Sequence, residues 1–499
     1  MPNTGLPAAP TPEETPMPDS ATPPAPTPET LNLLGTPLAA LVRRAPLTVP
    51  PHTPIQAAAQ TMREAGASSV MLVEAGRLTG LVTDRDLRNR VLAAGLPPSR
   101  PVAEIATPEP FTLPASASAL DALMLMARHN IHHVPVLDDA GQVAGMVSAS
   151  DVSEQQGSSA VLLTQHIFRA GSAPELAALS ARVRPMQQAL VQAGGSAYAI
   201  GHIVTAITDA LTVRLLQLAE QQLGAAPVPY AWVAAGSQAR MEQTAKSDQD
   251  NCLMLDNAYS EDAHGEYFSA LARFVNDGLN ACGYVYCPGD MMASNAQWRQ
   301  PMRRWRAYFG QWVDVPQPKA LMLSSVFFDL RAVHGQAELL DDLRDDVLER
   351  TRGNSLFLGH MVANALKNRP PLGLFGRIAL IKSGSNARTL DLKVSGITPI
   401  VDLARICALA AGLPAVNTAD RLAQASEAGS LSPGMAHDLR DALEFLSRLR
   451  IAHQARQSSA DQTPDNFLRL EELSDFDRGH MKQAFTLVQQ MQSVLKQRY

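Results

Sequence analysis

Asp248 and Asp250 stand two residues apart in "GSQARMEQTAKSDQDN" (residues 236–251), at the entry to the strand-like run "NCLMLD". In an extended segment, residues at i and i+2 leave the same face, so both carboxylates point one way and Gln249 the other. Two carboxylates on one face repel unless cations lie between them. The pair therefore predicts a site for two Mg²⁺ ions bridging a triphosphate. Just upstream, the run "PYAWVAAGS" stops at Gly236. A glycine there lets the backbone approach a bulky anion. Ser237 is expected to cap a helix over "QARMEQTA" whose free N–H groups face that anion. The order is strand, Gly-Ser corner, helix, turn, strand.

These residues need a scaffold, and 499 residues are too many for one core, so about three folded units are expected. Apolar residues make up 46% and charged ones 18%, an ordinary globular balance. A net charge of -6 argues against a protein that coats nucleic acid. The four cysteines (Cys252, Cys282, Cys287, Cys407) form no CxxC and have no histidine at ligand spacing, which predicts a reduced, cytoplasmic chain without a zinc site. No signal peptide is visible, and the long apolar stretch from "AYAIGH" carries His202, Asp209, Arg214 and Glu220, so no membrane partner is expected. Residues 1–36, rich in Pro, Thr, Ala and Glu, are expected to be a disordered tail.

An internal repeat follows. "PLTVPPHTPIQAAAQTMREAGASSVMLVEAGRLTGLVTDRDL" and "PFTLPASASALDALMLMARHNIHHVPVLDDAGQVAGMVSASDV" each read as entry, amphipathic helix, strand, turn and strand. Gly80 aligns with Gly145, Thr83 with Ser148, and Asp86 with Asp151. Over residues 37–155 this resembles a tandem pair of CBS domains. The resemblance implies that Thr83, Asp86, Ser148 and Asp151 hold the ribose and phosphates of an adenine nucleotide effector, and that the pair supports a homodimer. Read as residues alone, the same four are also ordinary helix caps. Residues 156–225 have helical periodicity and are expected to be a spacer.

Gly-Ser followed about ten residues later by Asp-x-Asp resembles the polymerase-β-like nucleotidyltransferases, and the local form is similar to the PII uridylyltransferase-type branch. More closely still, the chain resembles bacterial proteins in which CBS pairs precede such a domain. The fold this implies is α/β multidomain: the CBS pair, a nucleotidyltransferase domain over residues 226–345, and a C-terminal helical bundle over residues 346–499. The family needs a third carboxylate on a neighbouring strand, and "SSVFFDLRAVHG" offers Asp329, as a metal ligand or as a strand-end aspartate paired with Arg331. Asp290 and Asn295 lie in a loop expected to border the NTP, and Arg299, Arg303 and Arg304 either contact phosphates or pack helices on the sheet. Lys393 precedes a Gly-containing corner and is either a triphosphate contact or a solvated lysine. His437-Asp438 lacks further His and Asp partners and reads as a surface pair, not a phosphohydrolase metal site.

The function implied is Mg²⁺-dependent transfer of a nucleoside monophosphate from NTP to a hydroxyl on a protein acceptor. Asp329 would help to orient or deprotonate that acceptor. The competing reading is a nucleotide-sensing regulatory or docking protein that binds NTP without turnover.

Overall fold

A computed structural model describes residues 37–42, 45–129, 131–148, 151, 159–244, 247–317, 325–373 and 377–499. The expected tail, residues 1–36, lies outside the described residues.

The repeat is realised as two small α+β units. In the first, helix α1 (Ile55–Ala65) ends on Gly66, whose φ of 60° provides the left-handed cap. Strands β1 (Ser69–Glu74) and β2 (Arg77–Thr83) pair antiparallel across Ala75 and Gly76, both at positive φ. A two-residue turn of that hand matches the strand twist. The second unit repeats the pattern with α2 (Ala119–His129), β3 (His133–Leu137) and β4 (Val143–Ser148). Ser69 pairs with Thr83, and His133 with Ser148, at the same place in each hairpin. A bond of 2.8 Å between Ser68 Oγ and His133 Nε2 ties the units together.

Their interiors are separate. Val49, Ile55, Val70, Val82 and Ile105 form the first unit's own core. Val134, Val136 and Val147 of the second unit belong instead to a larger core that reaches Trp232, Leu253 and Phe268. The link is helical: α3 (Ser159–Arg169), α4 (Ala173–Ser180), α5 (Val183–Gln192) and α6 (Ala197–Leu223). These segments are not a free-standing spacer. Helix α6 packs against α2 and α3 on one side and against α7 (Glu261–Ala281) on another. Two helical segments, Ala197–Leu223 and Lys393–Ala411, are long and apolar enough to cross a membrane, but 83% and 67% of their apolar windows are buried inside the protein. Burial against other elements is the ordinary fate of an all-round apolar helix.

The sheet that carries the Gly-Ser corner runs β7-β6-β5-β8, where β5 is Tyr230–Ala235, β6 Asn251–Leu255, β7 Arg299–Pro301 and β8 Leu330–Gly335. Strand β5 is central and antiparallel to both β6 and β8. Tyr230, Trp232 and Ala234 enter the core shared with α6 and α7. Ala231, Val233 and Ala235 enter a second core with α8 (Met302–Asp314) and the C-terminal helices. A strand buried on both faces explains why "YAWVAA" shows no polar alternation.

The C-terminal bundle contains α9 (Glu338–Thr351), α10 (Ser355–Ala365), α11 (Thr398–Ala411), α12 (Thr418–Glu427), α13 (Pro433–Ser459) and α14 (Asp475–Arg498). Side-chain caps set several of these starts: Asn417 for α12, Ser432 ahead of Pro433 for α13, and Ser474 for α14. Helix α13 also reaches α6, where the Glu444 carboxylate accepts from the backbone N–H groups of Ala197 and Tyr198 at its start. A negative charge at a helix N-terminus is favourable there.

Candidate functional site

The Gly-Ser corner and the aspartate pair meet because of one backbone contact and one missing side chain. Ala235 N–H donates to the Asp250 carbonyl at 2.9 Å, which places the end of β5 beside the entry to β6. Gly236 has φ of 57°, and a Cβ there would lie 2.7 Å from Asp250 Oδ2 and 3.0 Å from Val326 Cγ2. Only glycine satisfies both demands. The helix that follows is a single turn, Gly236–Ala239, with Ala235 at the cap position and no side-chain cap. The expected two-turn helix and the capping role of Ser237 are therefore corrected. The cause is capture by neighbours: Met241 turns to φ 59°, Gln243 N–H donates to Thr205 Oγ1 of α6, and Glu242 Oε1 accepts from Thr418 N–H of α12. Gly201 of α6 makes room, since a Cβ there would come within 2.8 Å of the Met241 carbonyl.

Gln249 is turned away from the aspartates and buried, donating to the carbonyls of Asn276 and Tyr284 and accepting from Asn276 Nδ2. Asp248 and Asp250 face a cavity of about 600 Å³ with Gly236, Ser237, Lys393 and Arg450, between the β7-β6-β5-β8 sheet and helices α11 and α13. Lys393 Nζ lies 4.0 Å from Asp248 Oδ1. Burial, and next the charge of Asp248, push the Asp250 carboxyl up to about 6. The Asp248 and Asp250 oxygens and the Cys287 sulfur lie within 4.8 Å of one another, the one such group of potential ligands found among the described residues. Two carboxylates facing a water-accessible cavity fit Mg²⁺; the thiol does not.

Asp329 does not join them, which corrects its expected role as metal ligand and acceptor base. It is 0% exposed, and its carboxylate is enclosed by three guanidiniums. Arg405 of α11 donates through Nε and Nη2 at 2.9 and 2.6 Å, Arg421 of α12 through Nη1 at 2.5 Å, and Arg240 through Nη1 at 2.6 Å. Burial alone would raise its pKa, but Arg405, Arg421 and Arg240 more than reverse that and hold it well below the usual carboxylate range. Glu242 and Asp402 pair with Arg240 and Arg405, so three carboxylates balance three guanidiniums. Nor does Asp329 pair with Arg331, whose partner is Asp209 of α6 at 2.8 Å.

The loop after α7 holds itself together and does not line the cavity. Asn295 Nδ2 donates to Asp290 Oδ2 at 2.9 Å, and Asn295 Oδ1 accepts from Gln297 N–H. Asp290 and Asn295 are therefore loop-fixing residues in this structure, not cavity-lining NTP contacts. Arg299 donates to the carbonyls of Ala293 and Ser294, Arg303 to that of Asn257, and Arg304 stacks on Tyr308, which is the packing alternative. His437 is exposed and pairs with Asp441 one turn on. Sequence reasoning missed Arg240, Arg405, Arg421 and Cys287.

In the CBS units, Thr83 Oγ1 and N–H both donate to Asp86 Oδ2, at 2.7 and 2.9 Å, while Asp86 N–H donates back to Thr83 Oγ1. Ser148 and Asp151 repeat the reciprocal pattern. Each pair forms a capping box that fixes the end of its hairpin, as the residues alone allow.

Two outcomes follow from these charges. Asp329→Asn leaves three buried guanidiniums short of a counter-charge and should cost about 3–5 kcal/mol in chemical denaturation; lost activity at unchanged stability would return Asp329 to the metal site. Asp250 carries a raised pKa in the folded protein, so its ionisation opposes folding above about pH 6, and the penalty fades as pH falls toward about 4. Asp250→Asn should thus stabilise the metal-free protein by roughly 2–3 kcal/mol at pH 7.5 and leave it nearly unchanged at pH 4. Thermal unfolding at the two pH values checks this, and a gain independent of pH would contradict it.

Family models match three regions: "CBS domain" over residues 38–93 and 102–156, "Putative nucleotidyltransferase DUF294" over 181–319, and "Putative nucleotidyltransferase substrate binding domain" over 355–499. The second match takes in helix α6, in keeping with its place against the sheet. Among similar proteins, the CBS domain-containing protein YhcV of Bacillus subtilis is 35% identical over 22% of this chain and 77% of its own. Inosine-5'-monophosphate dehydrogenase of Korarchaeum cryptofilum is 31% identical over 23% of each chain. The solved CBS domain protein PAE2072 from Pyrobaculum aerophilum, complexed with AMP, is 26% identical over 26% of this chain and 97% of that one, with a TM-score of 0.24. The CBS pair at the front, the corner-and-aspartate domain and the helical partner that closes over it together make this chain a CBS-domain-containing member of the DUF294 family.

Proposed function

We propose that the protein transfers a nucleoside monophosphate from an NTP to a hydroxyl on a protein acceptor, as a uridylyltransferase-like enzyme. The observation that carries this reading is the convergence of Gly236, Ser237, Asp248, Asp250 and Lys393 on one cavity closed by the C-terminal bundle. The cavity is of a size suited to a nucleotide. In the reaction, the bond from the α-phosphorus to the bridging oxygen of the β-phosphate breaks and pyrophosphate leaves with the electron pair. The acceptor oxygen takes the phosphorus, and its proton passes to water.

Asp248 and Asp250 would hold Mg²⁺, which supplies charge neutralisation at the phosphates when bound. Gly236 leaves the floor of the cavity open to the β- and γ-phosphates, and Lys393 adds a cation at its rim. Arg240 and Arg405 line the same cavity, but their guanidiniums are committed to Asp329, Glu242 and Asp402, so they position the walls. Asp329 acts at one remove, by holding those arginines.

The CBS pair is read as the regulatory part, with an adenine nucleotide as effector. Two solved relatives support the ligand class: the protein noted above holds AMP, and the CBS pair of MJ0100 is described in complex with 5-methylthioadenosine and S-adenosyl-L-methionine. Helix α6 offers the route, because it packs on the second CBS unit while Thr205 and Asp209 hold the motif loop and Arg331. Since α6 covers that unit's helices, a homodimer would form through the first unit, where Leu92 stands 80% exposed.

The test is incubation with each of the four NTPs, labelled at the α-phosphate, with Mg²⁺ and cell lysate. Label should appear on protein with one preferred base, and AMP should change the yield several-fold. Asp248→Asn combined with Asp250→Asn should transfer less than about 1% of wild type, because losing one part of such a constellation commonly costs two or more decades. NTP binding with no transfer in any arm would favour the sensing reading over the enzyme.

A further inference from the structure

The donor set at the aspartate pair is not all oxygen. The chain returning from α7 runs beside the motif as a parallel bridge, Asp248 to Val285, with Gln249 N–H donating to the Val285 carbonyl at 3.0 Å. Two residues further along both segments, the register sets Cys287 beside Asp250. The Cys287 sulfur lies within 4.8 Å of the Asp248 and Asp250 carboxylate oxygens. Among the described residues, no other side chain is recorded as a hydrogen-bond or ion-pair partner of the Asp250 carboxylate, although it is largely buried and next to a second negative charge.

The loop that carries Cys287 is tied to the start of β6 by hydrogen bonds. Asp290 N–H donates to the Cys287 carbonyl, Asn251 N–H to that of Met291, and Asn251 Oδ1 accepts from Ala293 N–H. The thiol is thus held at the site by the same residues that begin β6. Asp329, the oxygen donor expected to complete the site, is sealed among arginines.

We propose that Cys287 is the third protein ligand of this site, which makes it a mixed oxygen–sulfur centre for a borderline divalent cation of the Co²⁺ and Zn²⁺ class. Thiolates select such metals, whereas Mg²⁺ takes oxygen donors. On binding, the thiol gives its proton to water and the sulfur electron pair forms the bond to the metal, with no change of oxidation state. Mg²⁺ would then arrive with the triphosphate as a second ion, on the cavity side of Asp248 and Asp250. The proposal rests on the transferase reading for the neighbouring nucleotide only; the metal centre itself can be observed without turnover.

The experiment is a titration of the full-length, metal-free protein with Co²⁺, followed by absorbance. A sulfur-to-cobalt charge-transfer band should grow in the near ultraviolet and saturate at one equivalent. Cys252, Cys282 and Cys407 are buried outside the ligand group, so Cys287→Ser should abolish the band. It should also weaken Co²⁺ binding by at least about tenfold, since even indirect supports of a metal site cost that much. Thermal unfolding of Cys287→Ser establishes that it folds; should it not, cadmium NMR of the wild type separates one-sulfur from all-oxygen coordination. No band in wild type, a band retained in a folded Cys287→Ser, or an all-oxygen cadmium shift would overturn the proposal. Calorimetry of Mg²⁺-NTP on the same samples keeps the two readings apart: NTP binding without the band rejects the thiol ligand alone, while the band without NTP binding upholds the centre and removes the nucleotide.

Discussion

A single buried carboxylate holds the two halves of the cleft together. Asp329 leaves the edge of the transferase sheet and accepts from Arg405 and Arg421, which belong to the C-terminal bundle, and from Arg240, which follows the Gly-Ser corner. Three cations and one anion cannot be buried at that ratio, so Glu242 and Asp402 complete the balance. The desolvation of such a group is costly, and it persists only where every charge is answered. The three arginines come from three different segments of the chain. The bundle can therefore close on the sheet in one arrangement, and the cavity beside the aspartate pair inherits that arrangement.

The second constraint is spatial. Gly236 and Gly201 both sit where a methyl group would strike the motif, one against the Asp250 carboxylate and the other against the Met241 carbonyl. Helix α6 thus presses on the motif loop with no side chain between them. Its other faces lie on the second CBS unit and on α7. A helix whose faces belong to three parts of the molecule is a physical path for coupling, in the sense that a shift on one face must be absorbed on the others.

What could be read in the sequence was local. The repeat, the Gly-Ser corner and the aspartate alternation are patterns of a few residues, and backbone sterics with strand periodicity decide them. The helix over "QARMEQTA" was misjudged because Thr205 and Thr418, far along the chain, capture its second turn. Asp329 was recognised as an important acid but given the wrong partners, since its arginines lie 76, 89 and 92 residues away. The scattered cysteines argued against a zinc site because spacing rules see only sequence neighbours. The bridge from Asp248 to Val285, which brings Cys287 in, is a tertiary fact.

The central claim is that the cavity binds nucleotide and divalent cation as one unit at Asp248 and Asp250. Calorimetric titration with a non-hydrolysable NTP, with and without saturating Mg²⁺, tests it most directly. The account predicts at least about tenfold tighter NTP binding with the cation, equivalent to about 1.4 kcal/mol of coupling, and an equal gain in cation affinity when NTP is bound. Identical NTP affinity with and without the cation would contradict it.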